Sequence, residues 1–115
     1  MNFILSHLTN EQAELVKAKA NELFPPGLGI NGQVGPVYKR RAKVKSERGY
    51  PDEMQVMGPC HMSITGFVSD DGDVYVWPVF ESFQGYFKTS PAENVKVVNG
   101  TLIIETQNSV YEVVL

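Results

Sequence analysis

The 115-residue chain has 43% hydrophobic and 20% charged residues and a net charge of −3, a composition that excludes a wholly disordered protein. Its single cysteine excludes an intramolecular disulfide, and no apolar run approaches the ~18 residues that a membrane helix needs. We therefore expect one cytoplasmic domain spanning residues 1–115, without a signal peptide and without membrane association.

Charge is distributed unevenly along the chain. Residues 1–49 carry eight Lys or Arg and four Glu, a net charge of +4, whereas residues 50–115 carry two Lys and nine Asp or Glu, a net charge of −7. Because the two signs can form separate surfaces, the overall charge does not exclude a nucleic-acid partner.

One helix is predicted over residues 9–24. Thr9 is suited to cap the first turn, and Gln12, three residues later, completes a capping box. Apolar residues recur at helical spacing on one stripe, and Pro25 and Pro26 end the pattern. We expect this helix to pack on a sheet.

Residues 25–36 form a segment rich in Gly and Pro. Gly27, Gly29 and Gly32 match the spacing of a dinucleotide-binding fingerprint, but that fingerprint requires a strand before it and a helix after it. A helix and two prolines precede it here. We therefore predict a connector and no cofactor.

Residues 37–60 are predicted to be a basic strand followed by a polar loop. Six of the ten basic residues of the chain lie between positions 39 and 48. Such a ribbon can bind phosphates or an acidic partner; alternatively, it is a solvated edge strand or pairs with the acidic second half of the chain. The candidate binding residues are Lys39, Arg40, Arg41, Lys43, Lys45 and Arg48.

Residues 62–115 predict an antiparallel sheet of about six short strands. Asp71-Gly72 and Asn99-Gly100 are hairpin turn signals, and residues 107–108 are a third reversal. No gap is long enough for a crossover helix, which excludes a parallel sheet. The predicted fold class is α+β, with the helix packed on an antiparallel meander or a small, partly closed barrel.

Six aromatic residues lie between positions 75 and 87, and most of these rings are expected in the core. Tyr75 and Trp77 share one face of the second strand in this sheet. If that face is exposed to solvent, the pair is a candidate protein-binding hot spot, rimmed by Asp73 and Glu81.

No catalytic constellation is evident. Cys60 and His61 are adjacent, so in an extended segment they point to opposite sides and do not form a dyad. The carboxylates are scattered, and no set of residues has metal-ligand spacing. We predict a protein that is not an enzyme and binds no metal; an enzyme would require an unrecognised site near Cys60, His61 or the acidic turns.

The C-terminal quarter of the chain carries a resemblance. Its residues are Thr89-Ser90-Pro91, Val97, Asn99-Gly100-Thr101 and Thr106-Gln107-Asn108-Ser109-Val110-Tyr111. This tail resembles the C-terminus of small uncharacterised phage and prophage proteins, which implies an accessory protein acting in the bacterial cytoplasm. No catalytic residue is implied.

Together these features predict a small, non-enzymatic binding protein, with a phage-encoded modulator or inhibitor of a host protein as the leading interpretation. The alternative is a nucleic-acid-binding protein that uses the basic stretch from Lys39 to Arg48. The sequence leaves the oligomeric state open.

Overall fold

In the computed structural model, which describes residues 1–26, 32–41 and 53–115, one helix and nine β-strands form an α+β fold. The predicted fold class is confirmed. The helix is α1 (Asn10–Leu23), and the strands are β1 (Gln33–Val34), β2 (Val37–Arg41), β3 (Glu53–Met57), β4 (Cys60–Val68), β5 (Val74–Ser82), β6 (Gly85–Lys88), β7 (Asn94–Val98), β8 (Thr101–Glu105) and β9 (Ser109–Val114).

The strands form two antiparallel sheets, which do not close into a barrel. Sheet A has the order β1-β4-β5-β6, and sheet B has the order β3-β2-β9-β8-β7. All six strands predicted over residues 62–115 are present, but they divide into two meanders. The division occurs after β6, where the Ala92 amide donates to Val76 O on β5 and the next amide, of Glu93, donates to Glu105 O on β8.

The helix begins and ends where the sequence predicts. Thr9 Oγ1 accepts a hydrogen bond from the Gln12 amide at 3.2 Å, and Gln12 Oε1 accepts one from the Thr9 amide at 3.0 Å, so the capping box is formed. At the other end, Phe24 has the extended backbone that a following proline imposes on the residue before it, and Pro25 cannot continue the helix.

The helix packs across β4 and β5 of sheet A. Val16 and Ala20 are fully buried on its inner side. Gly66 of β4 lies directly under the helix, because a Cβ atom there would stand 2.7 Å from Val16 Cγ1. The absence of a side chain at Gly66 therefore sets how closely the helix approaches the sheet.

Two strands lie in segments that the sequence assigns to a connector and a loop. β1 pairs with the start of β4, and β3 pairs with β2. Gly27 and Gly29 of the cofactor-like spacing lie outside the described residues. Gly32 is described and has a φ of +70°, and its carbonyl accepts a hydrogen bond from the Met62 amide, which places it beside β4 as a sheet partner.

The buried core includes side chains from the helix and from both sheets. Val16 of α1, Ile64 and Phe80 of sheet A, and Leu102 and Val113 of sheet B are all fully buried. Within the described residues, no helix is both long and apolar enough to cross a membrane.

Candidate protein-binding surface

α1 covers one face of sheet A, and the part of the opposite face nearest the β4–β5 turn is exposed to solvent. Gly66 and Val76 are paired across β4 and β5 on the helix side. Because side chains alternate along a strand, the neighbouring pair Phe67 and Tyr75 lies on the outer side, as does Trp77. The register of β5 with β6 adds two further residues to this side. We call the outer surface the aromatic face, and it consists of Phe67, Tyr75, Trp77, Tyr86 and Lys88.

The rings of the aromatic face contact one another and remain accessible to solvent. Phe67 and Tyr75 stack with ring centroids 6.5 Å apart and an interplanar angle of 21°, and they are 51% and 39% exposed. Lys88 Nζ lies 5.7 Å from the centroid of the half-buried Trp77 ring, within cation–π range. Tyr86 is 62% exposed. The surface is thus held by contacts within the sheet yet available to a partner.

The prediction that most of the six rings lie in the core is wrong. Phe80 is fully buried, and Phe87 packs against it with centroids 6.1 Å apart. Tyr75, Tyr86 and the turn residue Phe83 are instead exposed. The physical reason is that, among the described elements, α1 packs against one side of sheet A, so rings at alternate positions of β5 lie on the side away from the helix.

The turn between β4 and β5 forms an acidic rim beside Phe67 and Tyr75. The Ser69 hydroxyl accepts a hydrogen bond from the Asp73 amide at 3.0 Å, and the Ser69 amide donates to Asp73 O at 2.9 Å. Asp70, Asp71 and Asp73 are exposed, and none forms an ion pair with another described residue. Their negative charge favours a cationic neighbour.

The sequence indicates Tyr75 and Trp77 but misses Phe67, Tyr86 and Lys88. A usable signal was present for Phe67. The five-residue turn over residues 69–73 makes positions 68 and 74 partners, so positions 67 and 75 must face each other on the next rung. For Tyr86 and Lys88, the register depends on the short β5–β6 turn, which carries no Asn-Gly or Asp-Gly signal.

The basic stretch is only partly within the described residues. Lys43, Lys45 and Arg48 lie outside them, and Arg41 ends β2 opposite Ser109. β2 lies between β3 and β9, so the edge-strand interpretation is wrong for residues 37–41.

The two remaining basic residues point to opposite faces of β2. Arg40 Nη2 lies 3.6 Å from Glu112 Oε1, and Lys39 Nζ lies 5.8 Å from the centroid of the Tyr111 ring. Arg40 therefore pairs with the acidic second half of the chain, as one of the alternative interpretations expects. Nucleic-acid binding through this stretch stays a prediction.

A separate open cavity of about 420 Å³ lies beside Cys60. Burial raises the pKa of the Cys60 thiol, which keeps it protonated and makes it a poor nucleophile. His61 Nδ1 lies 3.5 Å from Gln33 Nε2, and the other histidine, His7, bonds through Nε2 to Gly66 O at 2.9 Å. The residues that line this cavity are Gln33, Pro59, Cys60, His61, Glu81, Ser82 and Phe83.

Among the described residues, no three His, Cys, Asp or Glu side chains lie close enough to hold a metal ion. No family model, curated protein or solved structure matches the chain. The geometry of the aromatic face is therefore the observation on which a functional assignment rests.

Proposed function

We propose that this chain is a non-enzymatic protein-binding module and that the aromatic face of sheet A is its contact surface. The observation that carries the proposal is the exposed stack of Phe67 and Tyr75 beside the half-buried Trp77. Aromatic rings provide large contact areas at a small cost in side-chain entropy, and Trp and Tyr are enriched among hot-spot residues.

The strands that carry these rings also favour binding. Phe67, Tyr75 and Trp77 lie on β4 and β5, which pair over eight register positions and whose opposite face is packed against α1. A partner therefore meets side chains on regular strands, and little ordering of the backbone is needed when the complex forms. Affinity is higher when this ordering is already present in the free protein.

Charge indicates the chemistry of the partner. The rings adjoin three exposed aspartates in the turn between β4 and β5, and residues 50–115 have a net charge of −7. This field repels phosphates and attracts a basic protein surface. We further propose that the partner is a host protein and that this chain acts as its modulator or inhibitor, which is what the resemblance of the C-terminal residues to phage and prophage proteins implies.

The test compares partner capture by the wild-type protein and by the double variant Tyr75→Ser/Trp77→Ser. Loss of one hot-spot residue at about 2 kcal/mol weakens binding about 30-fold, so loss of both should weaken it by at least that factor and by about 1000-fold if the two effects add. The matched control is Leu15→Ser, because Leu15 is 47% exposed but lies on α1, on the other side of sheet A. The far-UV circular dichroism of all three proteins should coincide.

Direct binding is then measured with the purified captured protein by following the fluorescence of Trp77, the single tryptophan of the chain. Emission should shift to shorter wavelength as the partner covers the ring. Equal capture by the wild type and a correctly folded double variant would remove the aromatic face as the contact surface.

The nucleic-acid alternative is tested with the same protein preparations. Labelled single- and double-stranded oligonucleotides are titrated at about 50 and 200 mM salt, where phosphate contacts weaken steeply. We expect no binding at either salt concentration. Tight binding that falls with salt and survives Tyr75→Ser/Trp77→Ser would assign the function to the basic stretch instead.

A further inference from the structure

A second surface, independent of the aromatic face, lies at one edge of sheet B. β7 is the last strand of that sheet, and among the described residues only β8 pairs with it. Val97 and Val98 of β7 are 42% and 44% exposed. An apolar edge strand of this kind offers its backbone as a template for another strand.

The turn geometry shows which backbone groups face outward. Asn99 and Gly100 have φ angles of +50° and +76°, as in a two-residue hairpin turn, and the flanking Val98 and Thr101 are the closing pair. Such a closing pair is hydrogen-bonded, and bonded pairs alternate along an antiparallel ladder. The N–H and C=O groups of Val95 and Val97 therefore point away from β8.

This edge has little of the protection that natural edge strands usually carry. It contains no proline, and its one charged side chain, Lys96, is drawn toward β8. Lys96 Nζ lies 3.8 Å from Glu105 Oε1 on that strand. A lysine on an edge strand discourages pairing with another strand most when no opposite charge is near it. Because Glu105 is close to Lys96, this lysine protects the edge only in part.

We propose that β7 is a self-association edge, at which two copies of the chain pair antiparallel about a twofold axis passing through Lys96. In this register, Val95 of each copy faces Val97 of the other. The two pairs of outward-pointing valines then form four backbone hydrogen bonds, and sheet B of one copy continues into that of the next.

Side-chain chemistry favours a second copy as the occupant. On the inner side of the sheet, the exposed Val97 of each copy meets the largely buried Val95 of the other, so the twofold axis covers the exposed part of both Val97 side chains with apolar surface. On the outer side, the two Lys96 side chains face each other, and each has its own Glu105 as an ion-pair partner. The four charges sum to zero, and the residual repulsion between the lysines keeps the dimer weak.

The first test is sedimentation velocity of the full chain from micromolar to millimolar concentration. We expect a reversible monomer–dimer equilibrium, because a single strand edge buries less area than a stable dimer requires. Val97→Pro removes an outward N–H that β8 does not use, and it should abolish the dimer. Val97→Thr is the matched control, because it keeps that N–H and the β-branched shape and should retain the dimer.

Substitutions that change the charge at the twofold axis are a second test, and they distinguish this dimer from a nonspecific association. Lys96→Thr removes the facing like charges and should tighten the dimer on the order of two- to fivefold. Lys96→Glu places four carboxylates at the axis and should dissociate it. Tyr75→Ser/Trp77→Ser should dimerise as the wild type does, which separates this inference from the proposed function.

Amide hydrogen exchange tests the dimer in the wild-type protein, so its result does not depend on whether a variant folds. Exchange at Val95 and Val97 should slow as the concentration rises, whereas exchange at Lys96 and Val98, whose amides bond within the hairpin, should not change. A monomer at every concentration, or a dimer in which the Val95 and Val97 amides stay unprotected, would overturn the proposal.

Discussion

The outer faces of the two sheets differ in the side chains that they present to solvent. On sheet B, outward-facing charges lie on neighbouring strands and pair, as in Arg40 with Glu112 and Lys96 with Glu105. On sheet A, the corresponding positions of β4 and β5 carry stacked and half-buried aromatic rings. Both faces lie opposite the core, so strand alternation alone does not explain the difference.

This difference is the reason for proposing a binding surface on sheet A and not on the outer face of sheet B. Side chains that form ion pairs with each other on an exposed face need no partner from outside the chain. Exposed aromatic rings are poorly solvated, and covering them with another protein is favourable. The face of sheet A, with its larger exposed rings, therefore has the stronger thermodynamic reason to be covered, although Val98 and Val114 are also exposed on the outer face of sheet B.

The largest expected effect on the free energy of unfolding comes from comparing one residue on each face of sheet A. Phe80 is fully buried on the helix side, and Phe80→Ala should lower the free energy of unfolding by about 3–5 kcal/mol. Phe67 is half-exposed on the aromatic face, and Phe67→Ala should cost only about 1 kcal/mol. Urea denaturation followed by circular dichroism measures both.

Phe83→Ala is the control for this series. Phe83 is fully exposed in the β5–β6 turn, so its removal should change the free energy of unfolding by less than about 0.5 kcal/mol. If Phe67→Ala costs as much as Phe80→Ala, the aromatic face is a second core surface, and the contrast with sheet B disappears.

An intermediate effect on the free energy of unfolding is expected at Gly66, where α1 packs against sheet A. Gly66→Ala adds a Cβ atom 2.7 Å from Val16 Cγ1 and closer still to the backbone oxygen of Tyr75. The helix must move away, and we expect a loss of about 1–3 kcal/mol in the free energy of unfolding.

The control is Gly58→Ala, whose Cβ would have 3.9 Å of clearance from Gln55 Nε2 and should leave stability unchanged or slightly raised. Thermal unfolding by calorimetry compares the two variants. Equal melting temperatures for them would mean that Gly66 does not set the packing of α1.

The smallest expected effect concerns the outer face of sheet B. Glu112→Gln removes the ion pair with Arg40, in which both side chains are partly exposed, and should cost about 1 kcal/mol or less. The cost should shrink further in high salt, since screening weakens exposed charge pairs.

Glu14→Gln is the control for that measurement, because the Glu14–Lys17 pair on α1 is more exposed and should contribute less. Chemical denaturation at low and high ionic strength, with urea as the uncharged denaturant, separates the two pairs. A cost for Glu112→Gln that is both large and independent of salt would show that sheet B has a structural ion pair on its outer face.

Local signals made much of the fold predictable. The capping box at Thr9 and the paired prolines at positions 25 and 26 set the bounds of the helix, and the Asp71-Gly72 and Asn99-Gly100 turns identified hairpins that the structure contains. Each of these signals depends on residues close together in sequence, so no knowledge of the tertiary fold was needed.

What the sequence did not predict depends on distant partners. β1 and β3 become strands by pairing with β4 and β2, and their own residues carry no distinct strand pattern. Strand alternation placed Tyr75 and Trp77 on one face of β5, but it did not say that α1 would cover the other face. The exposure of the rings follows from that single packing event.

The position of β9 has a consequence for the order of folding. β9 follows all the other strands in sequence but lies in the middle of sheet B, with β2 on one side and β8 on the other. β2 is bound through register pairs such as Val37 with Val113, which are far apart along the chain. During synthesis, the β4–β5 hairpin and the β2–β3 pair can form while sheet B still lacks its central strand, so β2 and β3 cannot join β8 and β7 in one sheet until β9 has been made.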